Sequence, residues 1–560
     1  MKQFAYLCAI YLTLVVSLPT GLCMDEKPTS PNIVIITADD LGYNDVSYHG
    51  SDQFFTPNID SLGYQGLILN DYYSPSLSSG ARASILTGKY PSRLGLQAAS
   101  LDNDESAGLS QSEKLMPEYF QEAGYKTHLV GKWHLGFHQR VLSPTKRGFH
   151  HHFGPLGGHI DYFDYTHKMS DGSRGLDMRN DDEIYEGPTG IYATRLFGKK
   201  AVEIVKKHQF SEQPLFLMVS HVAPGANGDG DLQAPADVIE RFQHIRNRQR
   251  RLFVEMTHVL DEEIGELIDA LSEREILNNT VIVFIGTNGG MVEGHMRNSA
   301  SNWPLRGQKM GPFEGGVRVA ATVWSSKIQS RHRISSQLMH CADWLPTLTA
   351  MVGIESQLLE KNLDGMNLWP TLSANMPSPR IEILHTMNPA TNSIVYLNSG
   401  WKFINGSQAI RHDGWAEAVP SEEIAGNFTE YFTSLNSSKT WTALQPFAET
   451  ELSQRKVTNL RENARIICER VQSKIPRVQC KPEVAPCLFH IQSDPCEIRN
   501  MASIYPEILA QIRNQISQQH PTTIYPINVP GNTRSDPRYF NNTWTFWSDE
   551  IVFAEKFTRA

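Results

Sequence analysis

The chain has 560 residues, of which 40% are apolar and 20% charged, and its formal net charge is −9. That length exceeds one ordinary domain and favours a large α/β domain with a smaller companion, with ample apolar content for packed cores. The acidic balance excludes a nucleic-acid binder, which needs a basic field to meet phosphates.

The chain opens with one lysine, an apolar run from Phe4 to Leu18, small and turn-forming residues, and then charge. Residues 1–23 read as a secretory signal peptide cut near Cys23. A retained anchor is the weaker alternative, because the run is short for a bilayer span. No later stretch is apolar enough to cross a membrane, so a secreted or endolysosomal product without a stable span is expected. The first element beyond the leader, "NIVIITADD" (32–40), is a β-branched run that ends in two carboxylates. "HLVGKWHLG" (128–136) ends in Lys132 and His134, "LFLMVSHVAP" (215–224) in His221, and "TVIVFIGTNGG" (280–290) in Thr287 and Asn288. Continuous apolar runs bounded by turn residues read as strands buried on both faces of a parallel or mixed sheet. Ligand sites in such sheets lie beyond the carboxyl ends of the strands, so four polar strand ends point to one shared site.

Before the last of these strands, Leu252, Phe253, Met256, Val259, Leu260, Ile264, Leu267, Ile268 and Leu271 share one face of a sheet-covering helix. The preceding Arg246, Arg248, Arg250 and Arg251 read as its solvated start rather than as a polyanion patch. A boundary falls near 370–380, giving a main domain over 31–375 and a smaller one over 380–560. Alternating residues over 393–404 suggest antiparallel strands, and "PEILAQIRNQISQ" (506–518) a late helix. Cys468, Cys480, Cys487 and Cys496 suit two disulfides, with three pairings open, while Cys341 stands apart. A zinc site is the competing reading, but no paired cysteine spacing supports it. Sequons at Asn278, Asn405, Asn427, Asn436 and Asn541 agree with export.

Asp39 and Asp40 cannot both be buried without a compensating cation. Their hard oxygens suit calcium or magnesium, although a helix cap or turn explains such a pair equally well.

"ADDLGYNDVSYHG", "LTGKYPSRLGLQ", "VGKWHLG", "RGFHHHFG", "NWPLRGQKMGPFEGGVR" and "ADWLPT" together resemble the sulfatase family, nearest its arylsulfatase B (N-acetylgalactosamine-4-sulfatase) branch. The likeness runs from about Pro31 to about Pro530. It implies the alkaline-phosphatase-like α/β fold, a large mixed sheet flanked by helices plus a smaller C-terminal α+β domain. It also implies sulfate-ester hydrolysis by a cysteine-derived formylglycine, whose hydrate attacks sulfur with one hydroxyl and expels sulfate with the other. Carried over by position, Asp39, Asp40, Asn288 and the degenerate Thr287 match the ligands of one calcium ion. Arg82 matches the arginine that braces the formylglycine, and His134 the histidine beside it. Lys132 and Lys309 match the lysines on the sulfate oxygens, and His221 the donor of a proton to the leaving alcohol.

The sequence departs from that pattern where the chemistry is made. C-x-P-S-R becomes "SSGAR": Ser78 replaces the cysteine, Gly80 the proline and Ala81 the serine. A second "PSR", Pro91 to Arg93, has Lys89 in the cysteine's place. D-N-G-G becomes "TNGG", and the loop after His221 is altered as well. A serine has one hydroxyl, so a sulfated Ser78 lacks the family's route to release. Loss of the carboxylate at 287 also weakens a calcium shell. The expectation is a sulfated-glycan binder with little or no turnover. Two alternatives are an active sulfatase in which Ser78 itself becomes formylglycine, and a phosphatase or phosphodiesterase that uses Ser78 directly. The last would need activating metals, whose extra ligands are not evident.

Overall fold

The computed structural model of the chain describes residues 30–239, 241–407, 414–448, 452–468, 480–519 and 523–549. The expected signal peptide lies outside the described residues. A ten-stranded mixed sheet organises the larger part of the chain. In chain order its strands are β1 (Asn32–Ala38), β2 (Leu67–Leu69), β3 (Lys126–Gly131), β4 (His151–Gly154), β5 (Arg179–Asn180), β6 (Glu183–Ile184), β7 (Leu215–Ser220), β8 (Thr280–Gly286), β9 (Ala321–Ser325) and β10 (Arg333–Ser335). Across the sheet they run β10-β2-β9-β8-β1-β7-β3-β4-β5-β6. The central β8, β1, β7, β3 and β4 are parallel.

Every residue of β1, β7 and β8 is buried, as continuous apolar strands require. Alternate side chains serve two separate cores: Val34, Ile36, Leu217, Ile282 and Phe284 lie in one, and Ile33, Ile35, Phe216, Val281 and Val283 in the other. Helix α1 (Ser78–Thr87) contributes Ala83, Ile85 and Leu86 to the second core and stops at Gly88, whose φ of 69° suits a glycine. Helix α2 (Arg248–Glu273) covers the first core with the expected stripe, from Phe253 to Leu271. Its arginine-rich start is not wholly solvated, because Arg250 is buried and pairs with Asp45 at 2.7 Å. Short-range charge counting misses a partner two hundred residues away.

The smaller part is an antiparallel sheet of β11 (Glu382–Asn388), β12 (Ser393–Asn398), β13 (Trp401–Asn405) and β14 (Cys487–His490). The late helix α5 (Pro506–Gln519) packs Ile512 and Ile516 into its core, beside Tyr73 and Phe313 of the larger part. Two buried ionic groups tie the parts together. Lys402 contacts Glu314 at 2.9 Å and Glu497 at 3.0 Å, and Arg380 holds Asp343. Between these strands the chain returns to the large sheet through α3 (Phe428–Asn436) and α4 (Lys439–Leu444), whose Tyr431, Leu435 and Trp441 join the first core. The cysteines pair as Cys468–Cys496 and Cys480–Cys487, and Cys341 is free and buried. No helix among the described residues is long and apolar enough to cross a membrane.

Candidate functional site

The four polar strand ends meet at the carboxyl edge of the sheet. Asp39 and Asp40 follow β1, Lys132 and His134 follow β3, His221 follows β7, and Thr287 and Asn288 follow β8. Ser78 is the first residue of α1, so the positive end of a ten-residue helix faces the same point. Arg82 lies one helical turn further on and shares its face. Asp40 and His134 have φ of 59° and 61°, a left-handed backbone that non-glycine residues adopt at a cost of about 1–3 kcal/mol and that clusters at functional sites.

The cluster is closed, and both of its carboxylates are held by cations. Ser78, Asp39, Asp40, Lys132, Thr287 and Asn288 are all at most 1% exposed. Ser78 Oγ lies 3.1 Å from Asp39 Oδ1 and 2.9 Å from Asn288 Oδ1, two acceptors for its single proton. Thr287 Oγ1 donates to the same Asp39 oxygen at 2.8 Å. Lys132 Nζ donates to Asp39 Oδ2 at 2.5 Å, and Arg82 Nη1 reaches Asp39 Oδ1 at 3.4 Å. Lys309 Nζ clasps both Asp40 oxygens, at 2.6 and 2.7 Å, and Asn288 Nδ2 adds a bond to Oδ1 at 2.8 Å. The altered loop after His221 roofs the pair. Asp39 N donates to Ala223 O, and Asn298 Nδ2 bridges Asp40 O and Pro224 O.

Burial pushes Asp39 upward, but Lys132, Arg82 and Lys309 outweigh it and hold the carboxyl well below its ordinary range. A carboxylate so stabilised is a poor base for Ser78. Burial pulls Lys132 down to about 8, against the attraction of Asp39. His134 is lowered well below its ordinary value, first by burial and then by Lys132 and Arg82. Its Nε2 donates to Leu101 O at 2.9 Å. His221 is pulled down to about 3 by burial alone. Its ring lies against Phe197, 6.3 Å between centroids, and no hydrogen bond or ion pair among the described residues joins it to the cluster. Arg82 Nε, His134 Nδ1 and His221 Nδ1 are buried without hydrogen-bond partners. The decoy phrase stays outside the cluster: Lys89 pairs with Glu113 and Glu360, and Arg93 with Asp364.

The calcium expectation is overturned. Among the described residues no group of three or more Asp, Glu, His or Cys side chains could hold a metal ion. The physical reason is visible in the donor set. The two carboxylates are held by lysine and arginine, Asn288 turns its amide N–H toward Asp40, and Thr287 acts as a donor rather than a ligand. Three cations against two carboxylates also leave the cluster one unit positive without any metal.

Two further residues belong to the site. Ser220, the last residue of β7, accepts from Arg82 Nη2 at 3.4 Å. His159 lies edge-on to His134 and is lowered well below its ordinary value by burial, with Lys132 and Lys309 adding to it. Ser220 immediately precedes His221 and was within reach of the strand-end reading, whereas nothing local marks His159.

A family model described as Sulfatase matches residues 31–354. The chain belongs to the sulfatase family. A relative, arylsulfatase J of Mus musculus, is 33% identical over 94% of this chain and 83% of its own length. N-acetylgalactosamine-6-sulfatase of Homo sapiens is 28% identical over 63% of this chain and 67% of its own. The solved structure described as Ps i-CgsB superposes with a TM-score of 0.67 at 24% identity, covering 89% of this chain and 94% of that one. The mixed sheet with its smaller C-terminal α+β part is therefore the sulfatase fold. These relatives span several sulfatase types and do not single out the arylsulfatase B branch.

Proposed function

We propose that this sulfatase-family chain recognises sulfate esters of glycans in the secretory pathway, secreted or endolysosomal, and turns them over little or not at all. The observation that carries the reading is Ser78, a single hydroxyl held between Asp39 and Asn288, at the position that the motif resemblance gives to a nucleophile needing two. Several features support recognition. One surplus positive charge matches the single negative charge of a sulfate monoester, and buried Arg82 Nε offers an unused donor. Lys132 and Lys309 are the side chains that would pass from Asp39 and Asp40 to sulfate oxygens. His221, which burial pulls down to about 3, is a weak proton donor to a leaving alcohol. The motif phrases favour the arylsulfatase B branch, and one relative carries the name N-acetylgalactosamine-6-sulfatase. A sulfated N-acetylgalactosamine is accordingly the first ligand to try, and the division into 31–375 and 380–560 the first to use in designing fragments.

The test pairs an assay with a repair. The protein is assayed on an aryl sulfate, then again as Ser78→Cys/Gly80→Pro/Ala81→Ser/Thr287→Asp. Proline is compatible with position 80, because the first intrahelical bond of α1 starts at Ala81 N. An added Cβ there meets Leu96 O at 3.0 Å and Pro91 at 3.1 Å, a shift of a few tenths of an ångström. Turnover only after repair is the expected result; appreciable turnover by the unrepaired protein overturns it. Mass spectrometry of the peptide carrying residue 78 decides the alternative in which Ser78 is itself oxidised to the aldehyde. Faster turnover of an aryl phosphate than of an aryl sulfate would instead restore the serine-nucleophile reading.

A further inference from the structure

We propose that Asn436 carries an N-linked glycan whose first sugars lie in the groove beside it, so that the oligosaccharide forms part of the packing of the fold. Asn436 is the last residue of α3, is exposed, and begins the sequon Asn436-Ser437-Ser438. Ser438 has a structural task of its own, since it is buried and its Oγ caps α4 by accepting from Trp441 N at 3.1 Å. That task explains the serine and leaves the asparagine unexplained.

Asn436 itself lines a groove of about 660 Å³, together with Gln65, Phe432, Trp441, Gln445 and Leu452. Pockets that take drug-sized ligands run to roughly 300–1,000 Å³, so the groove is of a size to receive the first sugars. Phe432 stands one helical turn before Asn436, and Cα–Cβ bonds tilt toward the helix N-terminus. A sugar on Asn436 Nδ2 is therefore carried back over the half-buried Phe432 ring, which meets Trp441 edge-on at 6.1 Å. The C–H face of a hexosamine suits such a ring. Gln65 spends its amide N–H on Trp441 O at 3.0 Å and keeps its carbonyl, and exposed Gln445 offers both a donor and an acceptor to hydroxyl and acetamido groups. The two disulfides agree with the oxidising compartment in which such glycans are added.

The covalent step takes a polyprenyl-pyrophosphate-linked oligosaccharide as co-reactant. The C1–O bond to pyrophosphate breaks, the lipid pyrophosphate leaves with the electron pair, Asn436 Nδ2 bonds to C1, and Nδ2 loses one proton.

The test uses the full chain secreted from a eukaryotic host. Site-resolved glycopeptide mass spectrometry should find Asn436 occupied. Under native conditions, amidase release of that glycan should be about tenfold slower than from the Phe432→Ala and Gln445→Ala variants, the protection a lost aromatic or amide contact implies. Asn436→Gln should lower the melting temperature while Asn278→Gln, at an exposed sequon, should not. An unoccupied Asn436, or equal release from wild type and both variants, overturns the proposal. Gln445→Ala lies at an exposed position, so the comparison survives even if Phe432→Ala fails to fold.

Discussion

Replacing Lys132 by methionine tests whether the candidate site is held by its own cations. The substitution removes the ammonium 2.5 Å from Asp39 Oδ2 and leaves that carboxylate, 1% exposed, with Arg82 at 3.4 Å as its remaining cationic contact. Removing one partner of a buried ion pair costs about 3–5 kcal/mol, because the other charge stays desolvated. The loss has a pH signature. In the wild type the folded Asp39 carboxyl is held well below its unfolded value, so its contribution is present above that unfolded value and disappears as pH falls through the folded one. Without Lys132 the folded value rises, and the variant relieves its lone charge by taking a proton at a pH where the wild type is still ionised. The stability gap is therefore widest at neutral pH and narrows on acidification. Lys132→Met/Asp39→Asn removes both charges and should recover much of the loss. Urea unfolding of the four proteins at pH 7 and at pH 4 measures both effects. Additive single losses, or a gap that does not change with pH, would refute the account of carboxylates held by the cluster's own cations.

Four other outcomes follow from the same structure. Calorimetry should show a sulfated N-acetylgalactosamine binding the wild type but not Lys309→Met, whose cation is the one that clasps Asp40 from the far side. Because burial lowers His221 to about 3, the unfolded chain binds the extra proton below its ordinary value near 6.5; stability then falls on acidification by about 1.4 kcal/mol per pH unit, and His221→Gln should flatten the curve by that amount. Arg380→Met, which strands the buried Asp343, should cost about 3–5 kcal/mol and expose residues 376–381 to limited proteolysis. Removing Cys468–Cys496 should cost about 3.6 kcal/mol and Cys480–Cys487 about 2.5, because the loops differ in length (28 against 7 residues of separation); the reverse order in denaturant titrations would contradict that loop-entropy account.

The strands around the site were legible because burial on both faces leaves an unmistakable pattern: β1, β7 and β8 each carry an apolar run of at least four residues, with inward and outward positions alike, and polar residues just beyond. The convergence of Asp39, Lys132, Thr287 and Asn288 at one sheet edge followed from that pattern. What they do to one another did not. A pair of aspartates reads as metal ligands until it is known where the nearest ammonium groups point, and Lys132 and Lys309 come from segments 93 and 269 residues away. His221 shows the same limit from the other side. It stands at the expected strand end, yet its ring lies against Phe197 and takes no part in the cluster's hydrogen bonds. The disulfide pairing and the Arg250–Asp45 contact are likewise products of long-range folding that spacing cannot rank.

The position of β1 has a consequence for biosynthesis. The strand at the heart of the sheet is made almost first, while the residues that flank it come much later: Thr37 faces Ser220, 183 residues downstream. At about 5–20 residues per second, "NIVIITA" waits roughly 10–40 s for its first neighbour and longer for β8 on its other side. A short, uncharged, β-branched segment with both edges open is the kind that pairs with the wrong chain. Shielding of this segment by a holdase chaperone should therefore raise the yield of newly made molecules more steeply than their final stability would suggest.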